Sequence, residues 1–88
     1  MKIDKRFKVR TIVNEHVLLI QGRNDSSMSK VMAFNDSAYL MWNELNDKDF
    51  TLEDAQNVLL DNYEVAPEVA LEDARKWVQT LVDNGVIL

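Results

Sequence analysis

The hydrophobic period of this chain switches once, from two residues to about 3.6, and the switch falls at Asn35. Upstream, Phe7, Val9, Thr11 and Val13 lie on one side of an alternating run and Lys8 and Arg10 on the other, the pattern of a half-buried strand. Asn14-Glu15 separates it from His16-Val17-Leu18-Leu19-Ile20-Gln21, a spacing that predicts a tight hairpin. That second run is apolar on both faces, so it should be the central strand. After a polar turn from Gly22 to Ser27, Ser29 to Phe34 predicts a third strand. Downstream, Ala38, Met41, Trp42 and Leu45 recur at helical spacing. Because every strand-like run precedes every helix-like one, the order excludes alternating β/α units. It predicts an α+β, winged-helix-like fold: a three-stranded antiparallel meander followed by three helices packed on one face.

The helix boundaries carry their own signals. Asn35-Asp36-Ser37 offers short polar side chains to orphan backbone donors, and a first helix should end near Asn46. Thr51-Leu52-Glu53-Asp54 resembles a capping box, with Leu52, Ala55, Val58 and Leu59 continuing a second helix to about Tyr63. Pro67 suits the first turn of a third helix, and Gly85 suits the left-handed residue that stops it after Asn84. Val86-Ile87-Leu88 should then fold back or cap the core.

Residues 1–88 are expected to form a single domain, since a chain of 88 residues buries only about 60–65% of its unfolded surface. Two Gly, one Pro and 47% hydrophobic residues exclude a disordered or low-complexity chain. With no cysteine, disulfides and thiolate metal sites are excluded. The longest aliphatic run, Val17 to Ile20, is too short for a membrane span, and the charged N-terminal residues carry no apolar signal region. A cytoplasmic protein without a membrane partner is expected.

A catalytic role lacks its parts. There is one His, no Gly-rich phosphate loop, no nucleophile elbow and no His/carboxylate cluster. No catalytic residue, metal site or cofactor is expected. His16 is read as a solvated turn residue, and Glu44, Asp47, Asp49, Glu53 and Asp54 as helix solvation. The net charge of -5 weighs against nucleic acid. It is unevenly spread. Through Lys30, seven basic residues (Lys2, Lys5, Arg6, Lys8, Arg10, Arg23, Lys30) face three acids (Asp4, Glu15, Asp25), a local +4, whereas three basic residues face twelve acids beyond it. A winged-helix DNA-binding regulator is the alternative class, yet its recognition helix would be the acidic one.

What remains is binding through backbone and apolar surface. In a meander the first and third strands are edges, and Lys5, Arg6, Lys8 and Arg10 guard the first. Val31, Met32, Ala33 and Phe34 are left open to pair with an added peptide strand. On the third helix, Ala70, Ala74, Trp77 and Leu81 form the core stripe. Leu71, Val78 and Val82, with Arg75 among them, form a second stripe that would line a groove if it faced the open strand. Self-association through the apolar sheet, as a homodimer, is a further expectation.

Two stretches are familiar. Phe34-Asn35-Asp36-Ser37-Ala38 followed by Met41-Trp42-Asn43-Glu44-Leu45 resembles the Leu-Asn-x-Thr-Ala-x-x-Ile-Trp-Glu-Leu-Leu signature of the PqqD family. Tyr63-Glu64-Val65, then Asp73, Trp77-Val78, Leu81 and Gly85-Val86-Ile87, is similar to its Asp-Val-x-x-Phe-Leu-x-x-Leu-x-x-x-Gly-Leu-Leu pattern, with Trp77 in place of the usual Phe. The resemblance covers essentially the whole chain. It implies a peptide chaperone that binds the leader of a ribosomally synthesised precursor beside its third strand and third helix. Such a protein presents the leader to a modifying enzyme, typically a radical S-adenosylmethionine protein of pyrroloquinoline quinone or related peptide biosynthesis.

Overall fold

A computed structural model describes residues 1–21 and 29–88, so the turn expected from Gly22 to Ser27 lies outside the described residues. Strands β1 (Val9–Ile12), β2 (Glu15–Gln21) and β3 (Ser29–Phe34) precede helices α1 (Asp36–Leu45), α2 (Leu52–Asn62) and α3 (Pro67–Asp83). The sheet is antiparallel in the order β1-β2-β3, which makes the twice-apolar β2 central and β3 an edge. The α+β meander-then-helices architecture expected from the period switch is therefore the architecture observed.

The first hairpin turns one residue earlier than Asn14-Glu15. Ile12 pairs with Glu15, leaving Val13 and Asn14 as a two-residue loop with φ of 49° and 66°. Positive φ at both central residues is the type I′ geometry that matches the twist of its flanking strands. Val13 therefore leaves the strand face assigned to it by alternation and stands 89% exposed. Register then settles the two faces of the sheet. His16, Leu18 and Ile20, with Met32 and Phe34 opposite, point toward the helices, while Val17, Leu19, Val31 and Ala33 point away from them.

Helices α1 and α2 begin where side chains can accept from their orphan donors. Asn35 Oδ1 accepts from the Ala38 N–H at 2.9 Å. Thr51 Oγ1 accepts from the Asp54 N–H at 3.1 Å while Asp54 Oδ2 accepts from the Thr51 N–H at 2.9 Å, a complete capping box. Helix α3 instead uses Pro67, whose missing donor costs nothing in a first turn. It stops at Gly85, whose φ of +73° an L side chain rarely adopts.

The buried faces meet in one core. Ala70, Ala74, Trp77 and Leu81 are the buried residues of α3, as the helical spacing predicts. They pack with Leu18, Ile20 and Phe34 from the sheet and Met41, Trp42, Leu45, Ala55 and Leu59 from α1 and α2. Ile3 and Val86 join them. Ile3 bridges Ile87 in antiparallel fashion, the Asp4 N–H donates to Val86 O at 2.8 Å and the Leu88 N–H to Lys2 O at 2.8 Å. The terminal residues thus fold back as expected, but against the N-terminal segment. Asp4, 7% exposed, is held there by the Arg6 guanidinium, which donates to both carboxylate oxygens.

Val13 is β-branched, and holding such a residue in the left-handed region costs about 1–2 kcal/mol. Val13→Asn should raise stability by about 1 kcal/mol in urea unfolding, since asparagine tolerates that region and Val13 buries almost nothing. An unchanged or lower midpoint would contradict the strained turn.

Candidate functional site

An edge strand has one row of main-chain groups without a partner strand, and the hairpin geometry says which residues supply it. In a two-residue loop the flanking pair, Ile12 and Glu15, exchanges main-chain hydrogen bonds. Glu15, Val17 and Leu19 therefore turn their N–H and C=O toward β1, and His16, Leu18 and Ile20 turn theirs toward β3. Their partners Phe34, Met32 and Lys30 are the β3 residues bonded inward. Val31 and Ala33 are left with N–H and C=O directed out of the sheet. Sequence reading treats Val31 to Phe34 as one open run; register divides it in two.

Beside this edge lies an open cleft of about 670 Å³. Met32, Ala33 and Phe34 line one side, Asp73, Lys76, Trp77 and Thr80 of α3 the other, with Ala38 and Met41 of α1 between them. One end is polar, formed by Asn14, Glu15 and His16 with Asn35, Asp36 and Ser37. Two methionines beside aromatic rings give the floor a polarizable, adaptable surface. Phe34 packs edge-on against Trp42, with ring centroids 5.7 Å apart. Of the charged lining residues, Glu15, Asp36 and Asp73 are acidic and Lys76 basic, and none forms an ion pair among the described residues. The cleft is thus unneutralised along its rim and greasy at its base.

Met32, Ala33 and Phe34 line this cleft, whereas Val31, one residue further along the same edge, does not. Leu71, Arg75, Val78 and Val82 do not line it. At ~100° per residue they lie on the opposite flank of the buried stripe from Asp73, Lys76 and Thr80. There Val78 packs against the core, Val82 is 45% exposed and the Arg75 guanidinium donates to Glu72 at 3.0 Å. Either flank of an amphipathic helix satisfies the same spacing, and the flank that lines this cleft is the polar one. The cleft flank carries charged and hydroxyl groups, which reads in sequence as solvated surface.

His16 also departs from the solvated turn residue expected of it. It is half-buried on β2, stacked on Tyr39 with ring centroids 3.6 Å apart and planes within 4°, and its Nδ1 is 2.9 Å from Thr11 Oγ1. The acidic residues near the α1–α2 junction are partly structural: Asp54 caps α2, and Asp49 Oδ1 accepts from the Met1 ammonium at 2.9 Å. That hydrogen bond holds the Asp49 carboxyl below the usual carboxylate range. No group of three or more metal-ligating side chains occurs among the described residues, and no described helix is long and apolar enough to cross a membrane. Helix α3 carries Glu68, Glu72, Asp73 and Asp83, with Arg75 engaged by Glu72, so it lacks the positive face a DNA-recognition helix needs.

Trp77 is 8% exposed and its Nε1 has no hydrogen-bond partner among the described residues. A buried orphan donor costs about 1–3 kcal/mol. Trp77→Phe, which keeps an aromatic ring and deletes the orphan, should change thermal stability by less than about 1 kcal/mol, whereas Trp77→Ala should cost about 3–5. Equal losses for the two variants would show that the indole nitrogen is satisfied after all.

The family described as coenzyme PQQ synthesis protein D (PqqD) has a model that matches residues 15–87. No curated protein matches the sequence. Two solved structures are similar over 99% of this chain. The first, TbiB1 in complex with the TbiA(beta) leader peptide, is 18% identical with a TM-score of 0.73 over 94% of its own length. The second, lasso peptide synthetase B1 complexed with the leader peptide, is 26% identical with a TM-score of 0.72 over 95% of its length.

Proposed function

This chain belongs to the PqqD family, and from that premise we propose that it is an adaptor that binds the leader of a ribosomally made precursor peptide and presents it to a modifying enzyme. The observation that carries the reading is the outer row of β3, unpaired among the described residues and running beside a cleft with an apolar floor. A leader strand adding there bonds to the N–H and C=O of Val31 and Ala33. Its alternate side chains then drop onto Met32, Phe34, Met41 and Trp77. Main-chain pairing supplies affinity that tolerates sequence, and the cleft floor supplies selection. Both similar structures were solved with leader peptides bound, which favours a leader as the guest here.

The groove so proposed joins Val31, Met32, Ala33 and Phe34 to Asp73, Lys76, Trp77 and Thr80, in place of the flank containing Leu71, Arg75, Val78 and Val82. The adaptor needs no chemistry of its own: the reacting groups belong to the peptide and to its enzyme. In pyrroloquinoline quinone synthesis and related pathways that enzyme is typically a radical S-adenosylmethionine protein, and an enzyme of that type is the proposed partner.

Proline separates the two halves of β3. Ala33→Pro removes an outward donor and should weaken binding of a precursor leader peptide that the wild-type protein binds by at least tenfold in calorimetry, with the circular dichroism spectrum retained. Met32→Pro removes a bond to β2 and should unfold the sheet. Wild-type affinity in a folded Ala33→Pro protein would exclude strand addition at this edge.

A further inference from the structure

The face of the sheet turned away from the helices is unusually apolar for a surface. Ile12 is 56%, Leu19 43% and Val31 65% exposed, and Val13 stands beyond them at the hairpin tip. They are contiguous. Register sets Arg10, Val17 and Ala33 in one row across the three strands, with Leu19 and Val31 paired in the adjacent row. Exposed Arg10 lies on this face, as does Lys8 by alternation, with Glu15 as its acid beside Ile12. The surface is therefore an apolar centre with a mainly basic border, on a protein whose net charge is -5.

The residues whose main chain would receive the leader also belong to this face. Val31 and Ala33 direct N–H and C=O toward the incoming strand and side chains onto the outer face. A leader residue opposite Ala33 extends the row Arg10, Val17, Ala33, and one opposite Val31 extends the row Leu19, Val31. The leader's remaining side chains enter the cleft. Occupying the groove thus adds a fourth strand, and with it new side chains, to the same exposed surface.

We propose that the outer sheet face, extended by the bound leader, is the docking surface for the enzyme that modifies the peptide, through an apolar enzyme patch with an acidic border. This rests on the leader-binding reading above and names the surface that reading leaves unassigned. Charge selects the occupant. Two copies meeting sheet to sheet would set one mainly basic border against another of the same sign, and an apolar centre is poorly suited to a phosphate backbone. An enzyme docking here reads the adaptor and half of the leader's side chains together, so it distinguishes the loaded adaptor from the empty one without touching the cleft.

The test uses the purified full chain, a synthetic precursor leader peptide and the enzyme that modifies that precursor. Leu19→Glu and Ile12→Glu each place an acid on the outer face and leave the cleft intact. Both variants should keep leader affinity within twofold of wild type and lose at least tenfold in affinity between loaded adaptor and enzyme, and wild type should bind the enzyme at least tenfold more tightly with leader than without. Unchanged enzyme affinity in both variants would overturn the surface, and equal affinity with and without leader would overturn its extension by the guest. Sedimentation of wild type as a dimer that Leu19→Glu dissociates would assign the face to a second copy instead. A wild-type protein that binds no leader yet loses the enzyme in both variants would sink the adaptor reading and leave this surface standing.

Discussion

A β-sheet of three strands has two edges, and each edge presents main-chain donors and acceptors that must find water or a partner. The rest of this protein is arranged around the different fates of those edges. The first strand is preceded and interrupted by Lys5, Arg6, Lys8 and Arg10, which discourage another strand from pairing there. The third strand has a cleft beside it in place of such a guard, with α3 running along the far wall. The register of β3 on β2 therefore governs more than those two strands, because it fixes which residues of β3 face outward. A one-residue slip of β3 against β2 would put Met32 and Phe34 in the outward bonding row and Val31 and Ala33 on the core face.

The division of polarity follows from that arrangement. Main-chain pairing is indifferent to side-chain identity, so a cleft that depends on it can leave its helix wall polar. Asp73, Lys76 and Thr80 occupy that wall over a floor of Met32, Phe34, Met41 and Trp77. The apolar flank of α3 serves the core instead, through Val78. A small domain buries a wide arc of each helix because it has few elements to spread the burial over. Leu71 and Val78 are half-buried for that reason.

The packing of the termini adds a second constraint. Val86 is fully buried and Ile3 nearly so, and their segments hydrogen-bond to each other. This short ladder closes the core at the C-terminal end of α3, the helix that forms the cleft wall. Asp4 sits within it, and its bidentate bond to Arg6 satisfies a carboxylate that burial would otherwise penalise. The wall of the cleft is consequently anchored at both ends, by Pro67 entering from α2 and by Gly85 leading into the paired terminus.

The sequence by itself determined the order of elements, the capping residues Asn35 and Thr51, the stop at Gly85 and the buried stripe Ala70, Ala74, Trp77, Leu81, because periodicity and local hydrogen bonding are properties of neighbouring residues. It also marked β3 as the open edge, since the guarding charges stand on the other one. Only the tertiary structure decided which flank of α3 meets that edge, because a helical period identifies a buried face and leaves its two sides equivalent. The same holds for His16, whose stacking partner Tyr39 is distant in sequence. It holds too for the placement of the turn at Val13-Asn14, where strand register overrode a residue's preference against positive φ.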